Sequence, residues 1–218
     1  MIEIEKAGVV WIVRMGNGEN RFNRDSVDAL HGHLDEIERQ PEPLAVVTTG
    51  QGKFFSNGLD LDWMGQAGDD AGAMVVDVQR ILGRLLRLPA VTVAAVNGHA
   101  FAAGAMLASA HDYVVMREDR GYWCLPEVDL GLPLTEAMFA VLAAKLPQAA
   151  LHDAILTGRR YDAAAALTAG IVHHVAPEDD VLRRAVELAT EAAGKNRSVL
   201  AEHKRLMYSD AARLCGVA

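Results

Sequence analysis

The chain is predicted to fold as an α/β domain in which helices alternate with strands that pair in parallel. Apolar, strand-like runs at residues 44–48 and 91–96 are each followed by a glycine-containing turn and then by a helical pattern. Between the two runs, apolar residues recur at helical spacing over residues 74–88. A strand, a tight loop, a helix and the next strand, in that order, are typical of parallel α/β folds.

The other elements follow from the same signals. Alternating or apolar runs predict further strands at residues 2–5, 9–15, 112–116 and 171–176. A helix is predicted over residues 25–40, ending before Pro41, and from Thr135 onward the pattern is almost all helical, with glycines 158 and 170 at helix ends. We therefore expect an α/β core over residues 1–134, followed by a helical capping and oligomerisation region over residues 135–218.

Composition and charge narrow the class of protein. Of the 218 residues, 51% are hydrophobic and 23% are charged, which is ordinary usage for a globular domain that buries a real core. No apolar run approaches the roughly 20 residues that span a bilayer, and the first residues lack the pattern of a signal peptide. Two cysteines are too few for a disulfide or zinc framework. A net charge of −8 argues against nucleic-acid binding. We expect a cytoplasmic protein without membrane or nucleic-acid partners.

The small-residue run from Gly98 to Ala108 is the most informative segment, because it follows the strand at 91–96 and opens a helix. The first turn of a helix offers N–H groups without an intrahelical acceptor, and side chains this small let an oxygen atom approach them closely. A second turn, Ser56-Asn57-Gly58, follows the strand at 44–48 and also leads into a helical pattern. Two such turns could each direct one N–H group at the same carbonyl oxygen.

With both turns present, the chain resembles the crotonase superfamily, the enoyl-CoA hydratase/isomerase fold. The first turn of that family reads roughly F-S/A-x-G-x-D and the second reads N-G-x-A-x-x-G-G. The resemblance runs from about Asn20 to about Lys204, and it includes Pro126-Glu127. It implies a crotonase-like ββα spiral core with a helical C-terminal region, assembled as a homotrimer or a dimer of trimers. Two glycines of the family are alanines here, Ala102 and Ala103, which a backbone N–H role tolerates if φ stays negative.

Glu127 is the candidate catalytic carboxylate. It follows Pro126 among apolar neighbours, so a side chain that faces inward would be partly desolvated and suited to proton transfer. Position alone favours an exposed loop glutamate, whereas alignment with the P-E motif of the family favours catalysis. Asp129 and Glu136 remain alternatives for the same role.

Met106 stands where the resemblance places the first of the two glutamates that hydratases use. Methionine can neither orient water nor exchange a proton. The resemblance is therefore nearest to the Δ3,Δ2-enoyl-CoA isomerases of fatty-acid β-oxidation, which move a double bond from the 3- to the 2-position. It implies that the N–H groups of Leu59 and Ala103 hold the thioester oxygen in an oxyanion hole while Glu127 moves a proton from C2 to C4. No metal or separate cofactor is implied, since coenzyme A arrives with the substrate.

The resemblance also implies where the substrate binds. The predicted binding residues belong to the first turn and to two nearby basic positions: Ser56, Asn57, Gly58, Asp60, Arg21 and Lys53. Asp60 is better explained as a helix cap, and the four histidines at 99, 111, 173 and 174 as structural residues. A hydratase, a thioester hydrolase and a decarboxylase remain alternatives, because the same oxyanion hole can serve all three reactions. A non-catalytic acyl-CoA-binding subunit that keeps the fold is a further alternative, because alanines replace two glycines of the family.

Overall fold

A computed structural model describes residues 2–16, 18–40 and 44–218 and contains two sheets. The larger sheet has six strands, in chain order β1 (Ile2–Ala7), β2 (Val10–Met15), β3 (Ala45–Gly50), β5 (Val91–Val96), β7 (Tyr113–Arg117) and β9 (His174–Ala176). They lie side by side in that same order. Strands β1 and β2 are antiparallel, and all other neighbours in this sheet are parallel. The predicted α/β class with parallel pairing is confirmed.

The smaller sheet consists of three short parallel strands, β4 (Phe54–Ser56), β6 (His99–Phe101) and β8 (Trp123–Cys124). Each of them follows a strand of the larger sheet, so the chain passes from the larger sheet to the smaller one three times and returns after each passage. This is the expected spiral core. The sequence predicts a helix that opens within the run 98–108, but a strand occupies residues 99–101 and the helix begins only at Ala103. Strands of two or three residues are too short to produce a periodic signal.

Ten α-helices lie in the part of the chain that the structure describes. They are α1 (Arg24–Glu38), α2 (Leu61–Met64), α3 (Asp70–Arg87), α4 (Ala103–Ala110), α5 (Glu127–Leu130), α6 (Glu136–Lys145), α7 (Gln148–Thr157), α8 (Ala163–Thr168), α9 (Val181–Ala193) and α10 (Arg197–Leu214), with a short 3-10 helix at Glu178–Asp180. Helix α1 ends two residues before the predicted boundary, and Pro41 lies outside the described residues. Of the strand predicted over residues 171–176, only the last three residues form a strand, which is β9.

Both faces of the larger sheet are covered. One face carries β-branched residues such as Val47 and Val93, which pack with Ala185 and Ala189 of α9. The other face belongs to a larger core that includes apolar side chains of α1, α3, α4 and α6. Strand β9 and helix α9 therefore complete the core begun by the first part of the chain. The division into regions 1–134 and 135–218 stays a prediction.

A buried ion pair attaches α10 to the larger sheet. Lys204 is 3% exposed, and its Nζ donates to Asp112 Oδ2 at 2.7 Å and to the carbonyl of Ala90 at 2.8 Å. The same Oδ2 accepts the backbone N–H of Thr92 at 2.8 Å. Lys204 Nζ and Asp112 Oδ2 thus contact each other and the backbone, as buried charges require.

Candidate active site

The two turns predicted to act together lie against each other. A Cβ atom at Gly58 would lie 2.9 Å from Ala102 Cβ and 3.2 Å from Ala103 N. A Cβ atom at Gly104 would lie 2.3 Å from the carbonyl oxygen of Ser56. Real Cβ atoms do not come that close, so glycine at both positions allows the turns to pack in contact.

Two backbone N–H groups at this contact are free of the local ladder and helix hydrogen bonds. Ala103 is the first residue of α4, where an N–H has no intrahelical acceptor. Leu59 forms a parallel bridge with Phe22, in which Phe22 N donates to Gly58 O and Asp60 N donates to Phe22 O. Because the bonding groups alternate along a strand, the Leu59 N–H is directed away from Phe22. Leu59 and Ala103 line one cavity of about 570 Å³.

Ala102 corrects one expectation. Its φ is +51° and its ψ is −125°, whereas tolerance of alanine at this turn was predicted on the condition that φ stays negative. The chain reverses direction between β6 and α4, and this reversal requires a conformation that glycine adopts readily and L-residues rarely do. A residue held in such a region costs about 1–3 kcal/mol, which the surrounding contacts must offset.

Glu127 also lines this cavity. It is the first residue of α5, directly after Pro126. Its Oε2 is buried and has no hydrogen-bond partner in the part of the chain that the structure describes. Burial raises the pKa of this carboxyl above its usual 4.5, because desolvation disfavours the charged form. The carboxyl is thus partly desolvated, which is the condition under which the sequence makes Glu127 suited to proton transfer.

The competing carboxylates lie elsewhere. Asp129 is exposed and packs against the backbone at Gly158, where an added Cβ would approach Asp129 Oδ2 at 2.5 Å. Glu136 is exposed at the edge of a second cavity. Asp62 does line the first cavity, but its side chain is 86% exposed and pairs with Arg21 at 2.9 Å. Of these groups only Glu127 combines burial with an unoccupied oxygen.

The first-turn residues divide into two groups. Asn57 lines the cavity, and its side-chain amide donates to Glu19 at 2.8 Å. Ser56 is fully buried, where its hydroxyl accepts from Gly58 N and donates to the carbonyl of Asn20, so it shapes the turn. Asp60 caps α2 by accepting from Trp63 N at 3.2 Å, as the sequence indicated.

The predicted cationic positions also differ from each other. Arg21 lines the cavity and pairs with Glu19 and Asp62. Lys53 does not line it, and its Nζ lies 5.2 Å from the centre of the Phe54 ring. Sequence reasoning missed Arg160, which lines the cavity with its guanidinium 5.8 Å from the Phe101 ring. In the sequence, the only indication of this cationic residue is that two arginines follow Gly158, where a helix ends.

The rest of the cavity wall is apolar. Met106, 1% exposed on α4, lies in it, so no carboxylate occupies the position of the absent glutamate. The other apolar lining residues include Met64, Val75, Leu134 and Met138. A carbonyl oxygen brought to the two N–H groups would therefore sit in a site of low polarity, where hydrogen bonds to charge are strong.

Two of the histidines have structural contacts, as expected. His111 is fully buried, with Nδ1 bonded to the carbonyl of Leu107 and Nε2 to Thr48 Oγ1, and burial lowers its pKa to about 4. His173 Nδ1 accepts from Val114 N at 3.0 Å. Among the described residues there is no group of three or more His, Cys, Asp and Glu side chains that could hold a metal ion. Nor does any described helix have the length and apolarity needed to cross a membrane.

The chain is similar to known proteins in sequence and in fold. Residues 5–214 match the family described as Enoyl-CoA hydratase/isomerase. The chain is 37% identical to enoyl-CoA delta isomerase 2, peroxisomal, of Arabidopsis thaliana, over 100% of this chain and 95% of that protein. It is 36% identical to enoyl-CoA delta isomerase 3 of the same plant, over 98% and 94%. An apo structure of an enoyl-CoA isomerase of Mycobacterium tuberculosis superposes with a TM-score of 0.90 at 28% identity, covering 99% and 94%.

In this α/β fold, Leu59, Ala103 and the partly buried carboxylate of Glu127 line one largely apolar cavity. The chain belongs to the enoyl-CoA hydratase/isomerase family of the crotonase superfamily. It is accordingly an enzyme of the enoyl-CoA isomerase or hydratase type, and the substrates of this family are acyl-CoA thioesters.

Proposed function

We propose that the protein is a Δ3,Δ2-enoyl-CoA isomerase, which moves the double bond of a 3-enoyl-CoA to the conjugated 2-position. One observation carries the proposal. Among the carboxylates that the structure describes, Glu127 is the one with a buried oxygen that lacks a hydrogen-bond partner, and Met106 stands at the position where hydratases have a second glutamate. One carboxylate suffices to move a proton between two carbons, whereas adding water to a double bond requires one group to activate water and another to deliver a proton.

The proposed reaction begins with the thioester oxygen accepting hydrogen bonds from Leu59 N–H and Ala103 N–H. The Glu127 carboxylate removes a proton from C2, and the electron pair of that C–H bond moves toward the carbonyl carbon to give a dienolate. Negative charge then develops on the oxygen, where fixed backbone dipoles stabilise it in a site with little water. Protonated Glu127 returns the proton to C4, and the double bond is left between C2 and C3.

The raised pKa of Glu127 favours this role. A carboxylate with a pKa nearer neutrality is a stronger base toward C2, and its protonated form still gives the proton back to C4. Both carbons lie on one face of a planar dienolate, so a small movement of the side chain reaches each of them. No other cofactor takes part, because coenzyme A is carried by the substrate.

The polar end of the cavity is the proposed place for the coenzyme A portion of the substrate. Arg21, Asn57 and Arg160 line that cavity and offer donors to the pantetheine amides or to phosphate oxygens. Ser56, Gly58 and Asp60 contribute indirectly, since they hold the turn that presents Leu59. Lys53 lies outside the cavity lining and could contact only the outer phosphates.

The deciding experiment compares two substrates with the purified protein. 3-Hexenoyl-CoA should be converted to 2-hexenoyl-CoA, with little 3-hydroxyhexanoyl-CoA formed from the conjugated substrate. Efficient hydration by the unchanged protein would refute the proposal. Binding of hexanoyl-CoA without turnover of either substrate would instead identify a non-catalytic acyl-CoA-binding subunit.

The variant Met106→Glu tests the same assignment from the other direction. It restores a carboxylate at the position of the absent glutamate, so some hydration of 2-hexenoyl-CoA should appear. The gain should be small, because an unpaired carboxylate is costly to bury at a position that is 1% exposed. Met106→Gln, of similar size but without a titratable group, is the matched control.

We also propose that the protein assembles as a homotrimer or a dimer of trimers and is located in the cytoplasm. The likeness to the crotonase superfamily supports the assembly. Two relatives from Arabidopsis thaliana are named as peroxisomal, so cell fractionation is the test of location. Light scattering after size-exclusion chromatography tests the mass of the assembly.

A further inference from the structure

Helices α1 and α3 are joined by polar contacts centred on His31 of α1. Arg84 of α3 lies with its Nη1 3.0 Å from His31 Nδ1, and its Nη2 donates to Asp35 Oδ1 at 2.7 Å. His31 Nε2 lies 3.0 Å from the carbonyl oxygen of Asp77, which also belongs to α3. Arg24 of α1 pairs with the Asp77 carboxylate at 2.9 Å. The imidazole therefore contacts α3 at two points, about two helical turns apart.

The partners of His31 determine where its proton lies. A guanidinium group has donors only, so the imidazole Nδ1 that faces Arg84 must accept. A carbonyl oxygen accepts only, so Nε2 must carry the hydrogen that is donated to Asp77. The neutral Nε2–H tautomer satisfies both contacts. A proton added at Nδ1 would direct one donor at another, with two positive charges at this contact.

The surroundings of the imidazole also favour the neutral form. Burial lowers the pKa of His31 below its usual 6.5, and the charge of Arg84 lowers it further. The carbonyl and the carboxylate of Asp77 and the carboxylate of Asp35 oppose this lowering. Arg84 in turn pairs with Asp35 and Glu38 of α1. Strand β1 also packs against α1, but the charged groups that act most strongly on the imidazole belong to the two helices.

The part of α3 that α1 contacts also borders the candidate active site. Val75 lines the cavity that holds the two proposed backbone donors and Glu127. Asp77, two residues further along, contacts His31 and α1. Gln79 Nε2 donates at 3.2 Å to the hydroxyl of Thr135, which lines the same cavity. Residues 75–79, here called the α3 wall, therefore lie between α1 and this cavity.

We propose that neutral His31 is a positioning residue that holds the α3 wall against α1, and that protonation of His31 weakens this attachment as the pH falls. A proton on Nδ1 removes the hydrogen bond with Arg84 and adds a like charge. The contact with the Asp77 carbonyl persists, because a protonated imidazole still donates from Nε2. Helix α3 then keeps one of its two contacts with the imidazole, and its wall is less firmly positioned.

The variant His31→Gln tests the proposal through stability. Its amide can accept from Arg84 and donate to the Asp77 carbonyl, but it does not titrate. The folded state binds the His31 proton less tightly than the unfolded chain, so its stabilising contribution is present above pH 6.5 and is lost as the pH falls through the folded-state pKa. Urea denaturation should show the unfolding constant of the wild type, divided by that of His31→Gln, rising at least about threefold from about pH 7.5 to 5.0. A constant ratio would overturn the proposal.

His33→Gln is the matched control on the same helix. His33 Nε2 lies 3.3 Å from the carbonyl oxygen of Ile2, an acceptor that a protonated imidazole still satisfies. The same ratio, measured with His33→Gln, should therefore stay constant. If both variants gave the same rise, acid would weaken α1 in general and the proposal would be wrong.

The tautomer itself can be measured in the unchanged protein. Nitrogen-15 chemical shifts of the His31 ring, assigned through the backbone, should show a bare Nδ1 and a protonated Nε2 at about pH 7.5. The Nδ1–H tautomer, or a doubly protonated ring at that pH, would overturn the proposal. This measurement decides the question if His31→Gln does not fold.

Binding of hexanoyl-CoA tests the effect on the cavity. The Kd of the wild type, divided by that of His31→Gln, should rise at least about twofold between about pH 7.5 and 5.0, because fewer molecules hold the wall in position. Both proteins contain Glu127, so its own titration cancels in the ratio. A constant Kd ratio would limit His31 to stabilising the fold and would overturn the positioning role. None of these measurements needs turnover, so absence of isomerisation would refute the proposed function alone.

Discussion

Asp112 and Glu127 are two carboxylates in sheltered positions with opposite surroundings. Asp112 Oδ2 accepts from Lys204 Nζ at 2.7 Å, from Thr92 N at 2.8 Å and from Thr92 Oγ1 at 3.1 Å. Glu127 Oε2 has no such partner among the described residues. The first carboxylate joins a helix to a sheet, and the second is left with an oxygen that can react.

The two carboxylates differ in the protein groups that replace the water each one loses on burial. Removing a carboxylate from water is costly unless hydrogen bonds and an opposite charge replace the hydration. Asp112 obtains both, and it opposes the lowering of the Lys204 pKa that burial causes. Glu127 obtains one backbone hydrogen bond, which does not offset its desolvation, so burial raises its pKa. Satisfied carboxylates stabilise the fold, whereas an unsatisfied one in a cavity is available for proton transfer.

Replacing Glu127 should have the largest effect on catalysis and little on stability. Glu127→Gln keeps the shape but cannot accept a proton, so kcat for 3-hexenoyl-CoA should fall by roughly 10²–10⁴. The free energy of unfolding should not decrease, because an unpaired ionisable group is removed. Asp129→Asn, at an exposed position, is the control and should remain active. A Glu127→Gln protein with more than about a tenth of the activity would transfer the role to Asp129 or Glu136.

Breaking the Lys204–Asp112 ion pair should lower stability and leave catalysis unchanged. Lys204→Met leaves Asp112 without its countercharge, and loss of one partner from a buried pair typically costs about 3–5 kcal/mol of unfolding free energy. Urea denaturation measures the loss, and any folded protein should retain kcat. The double variant Lys204→Met/Asp112→Asn should recover part of the stability. A loss below about 1 kcal/mol in Lys204→Met would contradict the contrast between the two carboxylates.

Removing a proposed backbone donor should affect catalysis slightly less than removing the carboxylate. Ala103→Pro deletes one N–H in the first turn of α4, where proline is tolerated. Loss of such a donor typically lowers kcat by roughly 10²–10³. Ala164→Pro is the control, since it lies at an exposed position in the first turn of α8. If folded Ala103→Pro turned over 3-hexenoyl-CoA normally, the thioester oxygen would have to bind elsewhere.

The raised pKa of Glu127 predicts two pH profiles of defined sign. The base must be ionised, so kcat/KM should fall as the pH decreases through the folded-state pKa, with a midpoint above 4.5. The folded protein holds this proton more tightly than the unfolded chain, so the contribution of Glu127 to stability is greatest below pH 4.5. That contribution is lost as the pH rises through the folded pKa. The denaturation midpoint of the wild type, taken relative to that of Glu127→Gln at the same pH, should therefore decrease as the pH rises through the folded-state pKa of Glu127.

The smallest expected effect concerns the strained turn. Ala102→Gly relieves a φ of +51°, and the gain of about 1–3 kcal/mol is partly offset by the greater freedom of glycine in the unfolded chain. The free energy of unfolding should rise by about 1 kcal/mol, with kcat/KM within about threefold of wild type. Ala110→Gly, at the helical end of α4, should instead be destabilising. A destabilised Ala102→Gly would show that the alanine side chain contributes packing that outweighs the strain.

The sequence predicts those parts of the molecule that repeat with a period or contain a local signal. The six strands of the larger sheet and the longer helices follow from hydrophobic spacing, and the two turns follow from their glycines and small residues. The strands of the smaller sheet are too short for such a signal. The pairing of Lys204 with Asp112 joins residues 92 positions apart, and the positive φ of Ala102 depends on the turn around it. Both are properties of the folded chain, which no local pattern contains.

The position of β9 at the edge of the larger sheet has a consequence for synthesis on the ribosome. When β7 is complete at residue 117, its free edge has no partner until residue 176 has been made, and the sheet face later covered by α9 has none until residue 193. At 5–20 residues per second, that interval lasts roughly 4–15 seconds. An unpaired strand edge beside an apolar face is a target for aggregation and for chaperones. The nascent chain should therefore be most dependent on chaperones while residues 118–193 are being added.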